Sequence, residues 1–331
     1  MEVIQVPDRP ALQRFYTVAG RLLFIESFDD RLAGLIERLF AGWQLQPVSF
    51  AAREPDIRIS FFCGEALPQI PNSLQQFELA DGGRCYTSGD DYYVSLDDVL
   101  VYVQNEGQAA VDVWLAELPG PVDPVFTRAT SFAVCAALRR FGLFELHSAG
   151  VVHPGSGQGV LIIGPSGSGK STLALRLTMA GWSYLSDDEL LLGLVNGEVE
   201  ARGFRSFFAV SEQVNSCFKT CFEPELVLGS QRETSATPGV LLFTSLSGEP
   251  ESRLKPLSQA EAMTRLLRAC PWATYDSAVA GGYLEILSRL SRQTNAFDLF
   301  AGRDLLAPGV AAELFSGLMK VDRPDAFALR Y

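Results

Sequence analysis

Clustered positive charge is missing from this chain. Its 331 residues carry 27 Lys and Arg against 39 Asp and Glu, which gives a formal net charge of −12. Because phosphate backbones need clustered Lys and Arg, we expect no nucleic acid as the main partner. Apolar runs of the ~20 residues that span a bilayer are missing too, and residues 1–10 lack the basic flank and apolar core of a signal peptide. We therefore expect a cytoplasmic protein without a membrane span.

Histidine and cysteine are also scarce. The 2 histidines, His147 and His153, exclude a His-rich metal centre. The 6 cysteines are too few and too scattered for a disulfide framework, so buried thiols are expected. Cys217 and Cys221 are four positions apart but have no His or Cys pair nearby, and we expect no zinc site there. What remains, 47% hydrophobic and 20% charged residues, is typical of a globular chain long enough for two domains.

The most informative stretch that is present is a phosphate-binding loop, GPSGSGKS, at Gly164–Ser171. An apolar run at 160–163 precedes it and predicts a strand, while the residues from Thr172 onward predict a helix. The glycines of such a loop allow consecutive backbone N–H groups to surround phosphates, Lys170 reaches the β and γ oxygens, and the Ser171 hydroxyl ligates Mg²⁺. The loop therefore predicts a nucleotide-binding protein.

Domain organisation is predicted from the change in pattern along the chain. Residues 11–118 mix strand and helix signals without a chemical motif, which indicates a small α+β domain. Prolines 119, 121 and 124 indicate a boundary near residue 120. We expect an N-terminal α+β domain at 1–120, for substrate recognition or assembly, and a catalytic domain at 121–331. In the second domain, alternating strands and helices predict a parallel-sheet nucleotide fold.

Four local signals predict the ends of particular elements. Ser27 with Asp30 is expected to cap a helix carrying Leu32 to Phe40, and Gly181 is expected to end the helix that the loop opens. Asn196-Gly197 predicts a hairpin turn, because both residues tolerate positive φ. Ser258 with Glu261 predicts a capping box at the start of a helix that runs through Cys270.

Two adjacent carboxylates, Asp187 and Asp188, follow a strand predicted at 182–186. Ligands gather at the carboxyl ends of parallel strands, so this pair is placed where a nucleotide would bind. One carboxylate can hold Mg²⁺ through water, and the other can accept a proton from an attacking hydroxyl. We expect Asp187 to accept the proton and Asp188 to orient the metal or water, with the reverse assignment left open. A solvated acidic turn is the alternative.

Three further polar residues extend the candidate site. His147 precedes the strand predicted at 149–152, and we expect it to hydrogen-bond a phosphate or an acceptor. On the far arm of the hairpin, Glu200 is a candidate for the magnesium shell and Arg202 for a phosphate contact. Arg232 lies in a late loop where a basic substrate-binding segment would fit, although an ordinary solvated loop is the favoured interpretation.

The order of these features, from His147 through Gly164–Ser171 and Ser186-Asp187-Asp188 to Glu200-x-Arg202-Gly203, resembles the catalytic domain of the HPr serine kinase/phosphorylase family. The resemblance covers roughly residues 143–205; residues 1–120 do not resemble that family's usual N-terminal domain. It implies an α/β fold with a P-loop nucleotide-binding core of the HPr kinase/phosphoenolpyruvate carboxykinase type. It also implies that the aspartate pair contains the proton acceptor, that Glu200 assists the metal, and that a homo-oligomer is plausible.

The function expected from the motif and the resemblance is ATP- and Mg²⁺-dependent transfer of the γ-phosphoryl group to a hydroxyl, first of all a serine of a peptide or protein. A kinase of a small-molecule hydroxyl, such as a free amino acid or sugar, is one alternative. A nucleotide-binding switch or scaffold without an acceptor is another. The predicted catalytic residues are His147, Lys170, Asp187 and Asp188; the predicted metal ligands are Ser171, Asp188 and Glu200; the predicted nucleotide contacts are Gly164, Ser166, Gly167, Ser168, Gly169, Lys170, Ser171, Thr172 and Arg202.

Overall fold

The computed structural model describes residues 9–49, 53–64, 66–79, 82–88, 91–104, 109–210, 220–223 and 231–319. It has a mixed α/β architecture with several sheets, as predicted. The chain divides into two compact units, Met1–Leu143 and Phe144–Tyr331. Among the helices of the described ranges, none is long and apolar enough to cross a membrane.

The first unit is built on a nine-stranded sheet in the order β3-β1-β2-β4-β9-β8-β7-β6-β5. Strands β2, β4 and β9 run parallel to one another, and the other pairs are antiparallel. The strands are β1 (Leu12–Val18), β2 (Arg21–Ser27), β3 (Gln46–Val48), β4 (Ile57–Cys63), β5 (Gln75–Glu78), β6 (Arg84–Ser88), β7 (Asp91–Leu96), β8 (Val99–Gln104) and β9 (Ala109–Leu115), and the helices are α1 (Asp30–Ala41) and α2 (Pro124–Arg139).

Both helices of this unit start at an aspartate. Asp29 caps α1 by accepting from the N–H groups of Arg31 and Leu32, so the predicted cap of Ser27 with Asp30 is wrong. Ser27 is the last residue of β2 and lies too far before the first turn of the helix to cap it. Asp123 caps α2 in the same way.

Helix α2 belongs with the first unit, because it packs on β8, β9 and β4. The two units therefore divide between Leu143 and Phe144, some twenty residues after the boundary predicted from the prolines. Prolines are typical of linkers, but here they only precede the helix, and Pro124 is its first residue.

The second unit contains a six-stranded sheet in the order β13-β11-β12-β19-β21-β20, a four-stranded sheet in the order β10-β14-β15-β18, and a pair, β16-β17. Its strands are β10 (Phe144–Leu146), β11 (Ser148–Val152), β12 (Gly159–Ile163), β13 (Ser183–Ser186), β14 (Leu190–Val195), β15 (Glu198–Gly203), β16 (Phe208–Val210), β17 (Thr220–Phe222), β18 (Ser235–Ala236), β19 (Pro238–Leu246), β20 (Arg253–Leu257) and β21 (Asn295–Ala301). Its helices are α3 (Lys170–Met179), α4 (Gln259–Ala269), α5 (Trp272–Tyr275), α6 (Ser277–Gln293) and α7 (Val310–Leu318), with a 3₁₀ turn at Arg303–Leu306.

The prediction of a parallel sheet around the loop is wrong for two of these six strands. Strands β12, β19 and β21 are parallel, whereas β11 is antiparallel to β12 and β20 is antiparallel to β21. Only residues 153–158 join β11 to β12, and 247–252 join β19 to β20. A parallel pair needs a crossover of a dozen or more residues, so the short connection 153–158 favours the antiparallel pairing of β11 with β12. Strand β20 turns back after β19 but pairs with β21, which is parallel to β19, so β20 is antiparallel to β21.

The six-stranded sheet is buried on both faces. Val160 and Ile162 of β12 face the hydrophobic cluster that contains α3 and α7, while Leu161 and Ile163 face the cluster that contains α4, α5 and α6. Alternate side chains of a strand point to opposite faces, so a continuously apolar strand such as β12 has a buried partner on each side. Each fully buried aliphatic side chain stabilises the fold by about 1.5–3 kcal/mol, which fixes β12 and the loop that follows it.

Three predicted element ends are confirmed. The N–H of Gly181, with φ of 93°, donates to the carbonyl of Thr178, and the N–H of Trp182 donates to that of Leu177, the Schellman pattern after α3. Asn196 and Gly197 both have positive φ in the β14–β15 turn. The capping box at the start of α4 is present in full. Cys85, Cys135 and Cys270 are buried thiols, as expected, and Cys63 is half-buried; Cys217 lies outside the described residues.

Candidate functional site

The phosphate loop joins β12 to α3 in a conformation that requires glycine. Gly167 and Gly169 have φ of 79° and 92°, which only glycine adopts without strain. At Gly164 the reason is close packing: a Cβ atom there would lie 2.5 Å from Ser168 Oγ and 2.6 Å from the Thr244 carbonyl oxygen. The loop is therefore held tightly against the end of β19.

The top of this loop presents unpaired donors. Within the described part of the chain, the backbone N–H groups of Ser166, Gly167 and Gly169 donate no hydrogen bond, and Ser166 and Gly167 are exposed. Backbone N–H groups are strong hydrogen-bond donors that are nearly always paired in a folded protein, and those at a helix N-terminus favour an anion. These donors therefore fit a phosphate group. Ser168 is buried below them, whereas Ser171 and Thr172, in the first turn of α3, are half-buried.

The Lys170 ammonium lies inside the loop. Its Nζ atom is 2.8 Å from the Gly164 carbonyl oxygen, 3.2 Å from that of Pro165, and 3.0 Å from Nε2 of His147. An ammonium has three N–H donors, so these three acceptors match its capacity. To contact a phosphate, Lys170 must give up at least one of these bonds.

His147 joins the lysine to an aspartate. Because a protonated lysine can only donate, Nε2 of His147 is the acceptor, and the imidazole is neutral with its proton on Nδ1. Nδ1 lies 3.5 Å from Oδ1 of Asp188. His147 stands directly before β11, and Asp188 stands just after β13, the neighbouring strand. The sheet thus brings together three predicted site residues from separate parts of the sequence.

The two aspartates have different environments. Asp187 is 1% exposed, and its Oδ2 accepts the backbone N–H of Ala209 at 2.9 Å. The side chain of Asp188 is 44% exposed. The buried carboxylate of Asp187 holds the segment after β15 in place, and only Asp188 is accessible to a ligand in solution.

Asp188 is held in an uncommon backbone conformation. Its φ is 69°, and the N–H of Glu189 donates to the carbonyl of Asp187 at 2.8 Å, which closes a three-residue turn around it. Positive φ in such a turn is rare and strained for a residue with a side chain, although aspartate tolerates it better than most. Strain of this kind is concentrated at functional sites, where the surrounding structure maintains it.

Ser186 secures this turn. Its buried hydroxyl donates to the carbonyl of Glu189 at 2.6 Å and accepts the N–H groups of Phe204 and Arg205 at 3.1 and 2.9 Å. The sequence pattern assigned Ser186 no role, because its partners after β15 are 18 and 19 positions away and no local signal joins them. The turn at Asp187–Glu189, which we call the aspartate turn, is thereby fixed to the end of β15.

Tyr184 anchors the same segment from the buried side. Its hydroxyl group lies 3.0 Å from the carbonyl oxygen of Arg205 and 2.9 Å from that of Phe207. Burial raises the pKa of the Tyr184 phenol well above its usual value, and the negative charge of Asp187 raises it further. The phenol therefore stays protonated and donates at either position.

Glu200 and Arg202 are not joined to the loop. They lie on the outward row of β15 and form an ion pair with each other. Within the described ranges neither side chain makes a hydrogen bond or ion pair with the phosphate loop, so their roles remain predictions. Arg232 does not lie in the solvated loop that the sequence favoured. The residue is half-buried, its backbone forms a β-bridge with that of Tyr184, and its guanidinium donates to the Ser206 carbonyl at 2.9 Å.

The protein oxygen atoms near the loop fit a magnesium ion that is coordinated mainly by phosphates and water. Among the residues that the structure describes, no group of three or more His, Cys, Asp and Glu could hold a metal by itself. Mg²⁺ usually needs only one or two protein oxygens together with phosphates and water. The Ser171 hydroxyl, next to Lys170, and the Asp188 carboxylate are oxygens of that kind.

Comparison with known proteins adds little to this geometry. No protein-family model matches the sequence, and no curated protein matches it. Among solved structures, the chain is similar to the Hpr(Ser) kinase/phosphatase from Coxiella burnetii at 15% identity and a TM-score of 0.32, covering 53% of this chain and 88% of that one. A TM-score at this level is too low to establish a shared fold.

Proposed function

We propose that the second unit is an ATP- and Mg²⁺-dependent phosphotransferase that moves the γ-phosphoryl group to a hydroxyl, with a serine of a peptide or protein as the preferred acceptor. The observation that carries the proposal is the chain of contacts from Lys170 through His147 to Asp188. It puts an accessible carboxylate beside a loop whose N–H groups are available to phosphates.

In the proposed mechanism the loop positions the phosphates. The N–H groups of Ser166, Gly167 and Gly169 donate to phosphate oxygens, and Lys170 exchanges a loop carbonyl for one of them. Mg²⁺, held by Ser171 and the phosphates, would supply positive charge to the transferring group. Positioning and charge neutralisation account for most of the catalysis of phosphoryl transfer.

Asp188 is the proposed proton acceptor, and Asp187 has a structural role. The acceptor hydroxyl oxygen forms a bond to the γ phosphorus, the bond from that phosphorus to the β–γ bridging oxygen breaks, and the hydroxyl proton goes to the Asp188 carboxylate. His147 Nδ1 orients that carboxylate. The proposal favours Asp188 because its side chain is accessible, whereas Asp187 is buried and accepts the N–H of Ala209.

The test is transfer of label from γ-labelled ATP to a lysate of the host and to serine-containing peptides. Asp188→Asn should lower the transfer rate by about 10²–10⁴-fold, the usual contribution of a general base, while ATP binding persists. Asp97→Asn is the matched control, because Asp97, like Asp188, has a positive φ, 48°, and it lies exposed in a turn of the first unit. Lys170→Ala should lose both binding and transfer.

Two results would contradict the proposal. If Asp188→Asn transfers label as fast as the unchanged protein, Asp188 is not the base. If the unchanged protein binds ATP but labels no acceptor in the lysate, the switch or scaffold alternative is favoured. Label in the small-molecule fraction alone would retain the chemistry and replace the peptide serine by a metabolite hydroxyl.

A further inference from the structure

In the six-stranded sheet, different strands lie on the two sides of β12, the strand that leads into the phosphate loop. On one side of β12 lie β11 and β13, which carry His147 and Asp188 to the edge where the loop stands. On the other side lie β19 and β21, both parallel to β12, so their carboxyl ends reach the same edge. Ligands of such sheets bind outside these carboxyl ends.

The two sides fix the direction of a bound nucleotide. The transferring phosphate must face the proton acceptor, which lies on the β11–β13 side. The rest of the nucleotide must then extend away from Asp188, across the loop and toward β19 and β21. This step rests on the proposed function, because the proton acceptor defines the end of the nucleotide that reacts.

The β19–β21 side carries exposed apolar side chains at this edge. Leu246, the last residue of β19, is 55% exposed. It adjoins the loop: a Cβ atom built on Gly169 would lie 3.4 Å from Leu246 Cδ2. Leu306, in the 3₁₀ turn directly after β21, is exposed as well. A single exposed leucine is ordinary, but a leucine beside a phosphate loop at the carboxyl edge of the sheet is in a position to contact a bound ligand.

We infer that the nucleoside of the bound nucleotide lies over the carboxyl ends of β19 and β21, with an apolar face of its base or ribose against Leu246. Covering a half-exposed leucine removes apolar surface from water, which favours binding. The phosphates lie on the loop in the middle, and the γ-phosphate faces Asp188. Leu246 is thus a nucleoside-binding residue that no motif of the sequence identifies.

The experiment compares ATP with inorganic tripolyphosphate, which has the phosphates but no nucleoside. Binding of each ligand is measured by calorimetry for the full chain and for Leu246→Ala. We expect Leu246→Ala to weaken ATP binding about fivefold, the effect of losing roughly half of a leucine's burial, and to leave tripolyphosphate binding unchanged. Leu246→Phe keeps an apolar surface and should retain ATP affinity. Leu284→Ala is the control, because Leu284 is 48% exposed on α6.

The remaining outcomes contradict either this inference or the proposed function. Unchanged ATP binding in Leu246→Ala would overturn the inference, as would an equal loss of ATP and tripolyphosphate binding, which would mean that Leu246 only supports the loop. If the unchanged protein binds neither ligand, the proposed function fails, and the inference fails with it. If it binds ATP and the selective loss is seen, yet no acceptor is labelled, the nucleoside position stands while the phosphotransferase proposal fails.

Discussion

Replacing Ser186 by alanine tests how the aspartate turn is held. The change removes a buried hydroxyl and leaves three backbone groups without their partner: the carbonyl of Glu189 and the N–H groups of Phe204 and Arg205. Each unpaired buried group costs about 1–3 kcal/mol, and partial entry of water offsets some of this. We expect Ser186→Ala to lower the free energy of unfolding of the second unit by about 2–4 kcal/mol.

The assay is urea unfolding followed by tryptophan fluorescence, since Trp182 is buried directly before β13 and reports on this region. Ser183→Ala is the matched control. Ser183 is in the same strand and buried, but within the described residues its hydroxyl makes no hydrogen bond, so its loss should cost less than about 1 kcal/mol.

The same variant should affect catalysis more than nucleotide binding. Without Ser186 the strained turn can relax, and Asp188 moves from its place near His147, whereas the Lys170 loop is unchanged. We expect kcat to fall by at least about tenfold, the effect of a small displacement of a catalytic group, with little change in KM for ATP. Equal stability of Ser186→Ala and Ser183→Ala, or a loss of ATP affinity with kcat unchanged, would refute this reasoning.

Two further predictions concern other parts of the molecule. Burial raises the pKa of Asp112 to about 6 from 3.8, so the folded first unit binds its proton more tightly than the unfolded chain, and its stability should fall as pH rises from about 4 to about 6. Asp112→Asn should remove this dependence and stabilise the unit at pH 7 by up to about 3 kcal/mol; an unchanged pH profile of urea unfolding would disprove it. Gly164→Ala should abolish ATP binding, because its Cβ meets Ser168 Oγ and the Thr244 carbonyl, whereas Gly157→Ala, at an open position with φ of 70°, should retain binding at a strain cost of about 1–2 kcal/mol. Calorimetry with ATP distinguishes them, and normal binding by Gly164→Ala would contradict the packing argument.

Local sequence signals predicted the ends of elements well. The Schellman end at Gly181, the Asn196-Gly197 turn and the capping box at Ser258 all involve residues within a few positions of one another, so their chemistry is complete in the sequence. The cap of α1 is the exception among them. Several polar residues precede that helix, and backbone geometry selected Asp29.

Features that depend on contacts between distant parts of the chain could not be predicted from the sequence. The direction of β20 relative to its neighbour depends on its pairing with β21, and the position of α2 depends on the sheet against which it packs. Neither is encoded by a pattern of neighbouring residues. The same holds for Ser186, whose partners follow β15, and for Leu246, which is notable only because β19 lies beside the loop.

By itself, the sequence predicted the phosphate loop, because its glycines, Lys170 and Ser171 are contiguous and their spacing is what a phosphate cradle requires. It also nominated His147 and the aspartate pair. Only the tertiary structure decided how these residues are related: it joined His147 to both Lys170 and Asp188, and it buried Asp187 while leaving Asp188 accessible. The physical reason is that exposure and contact between separate strands are properties of the packed sheet, whereas a loop of eight consecutive residues carries its own geometry.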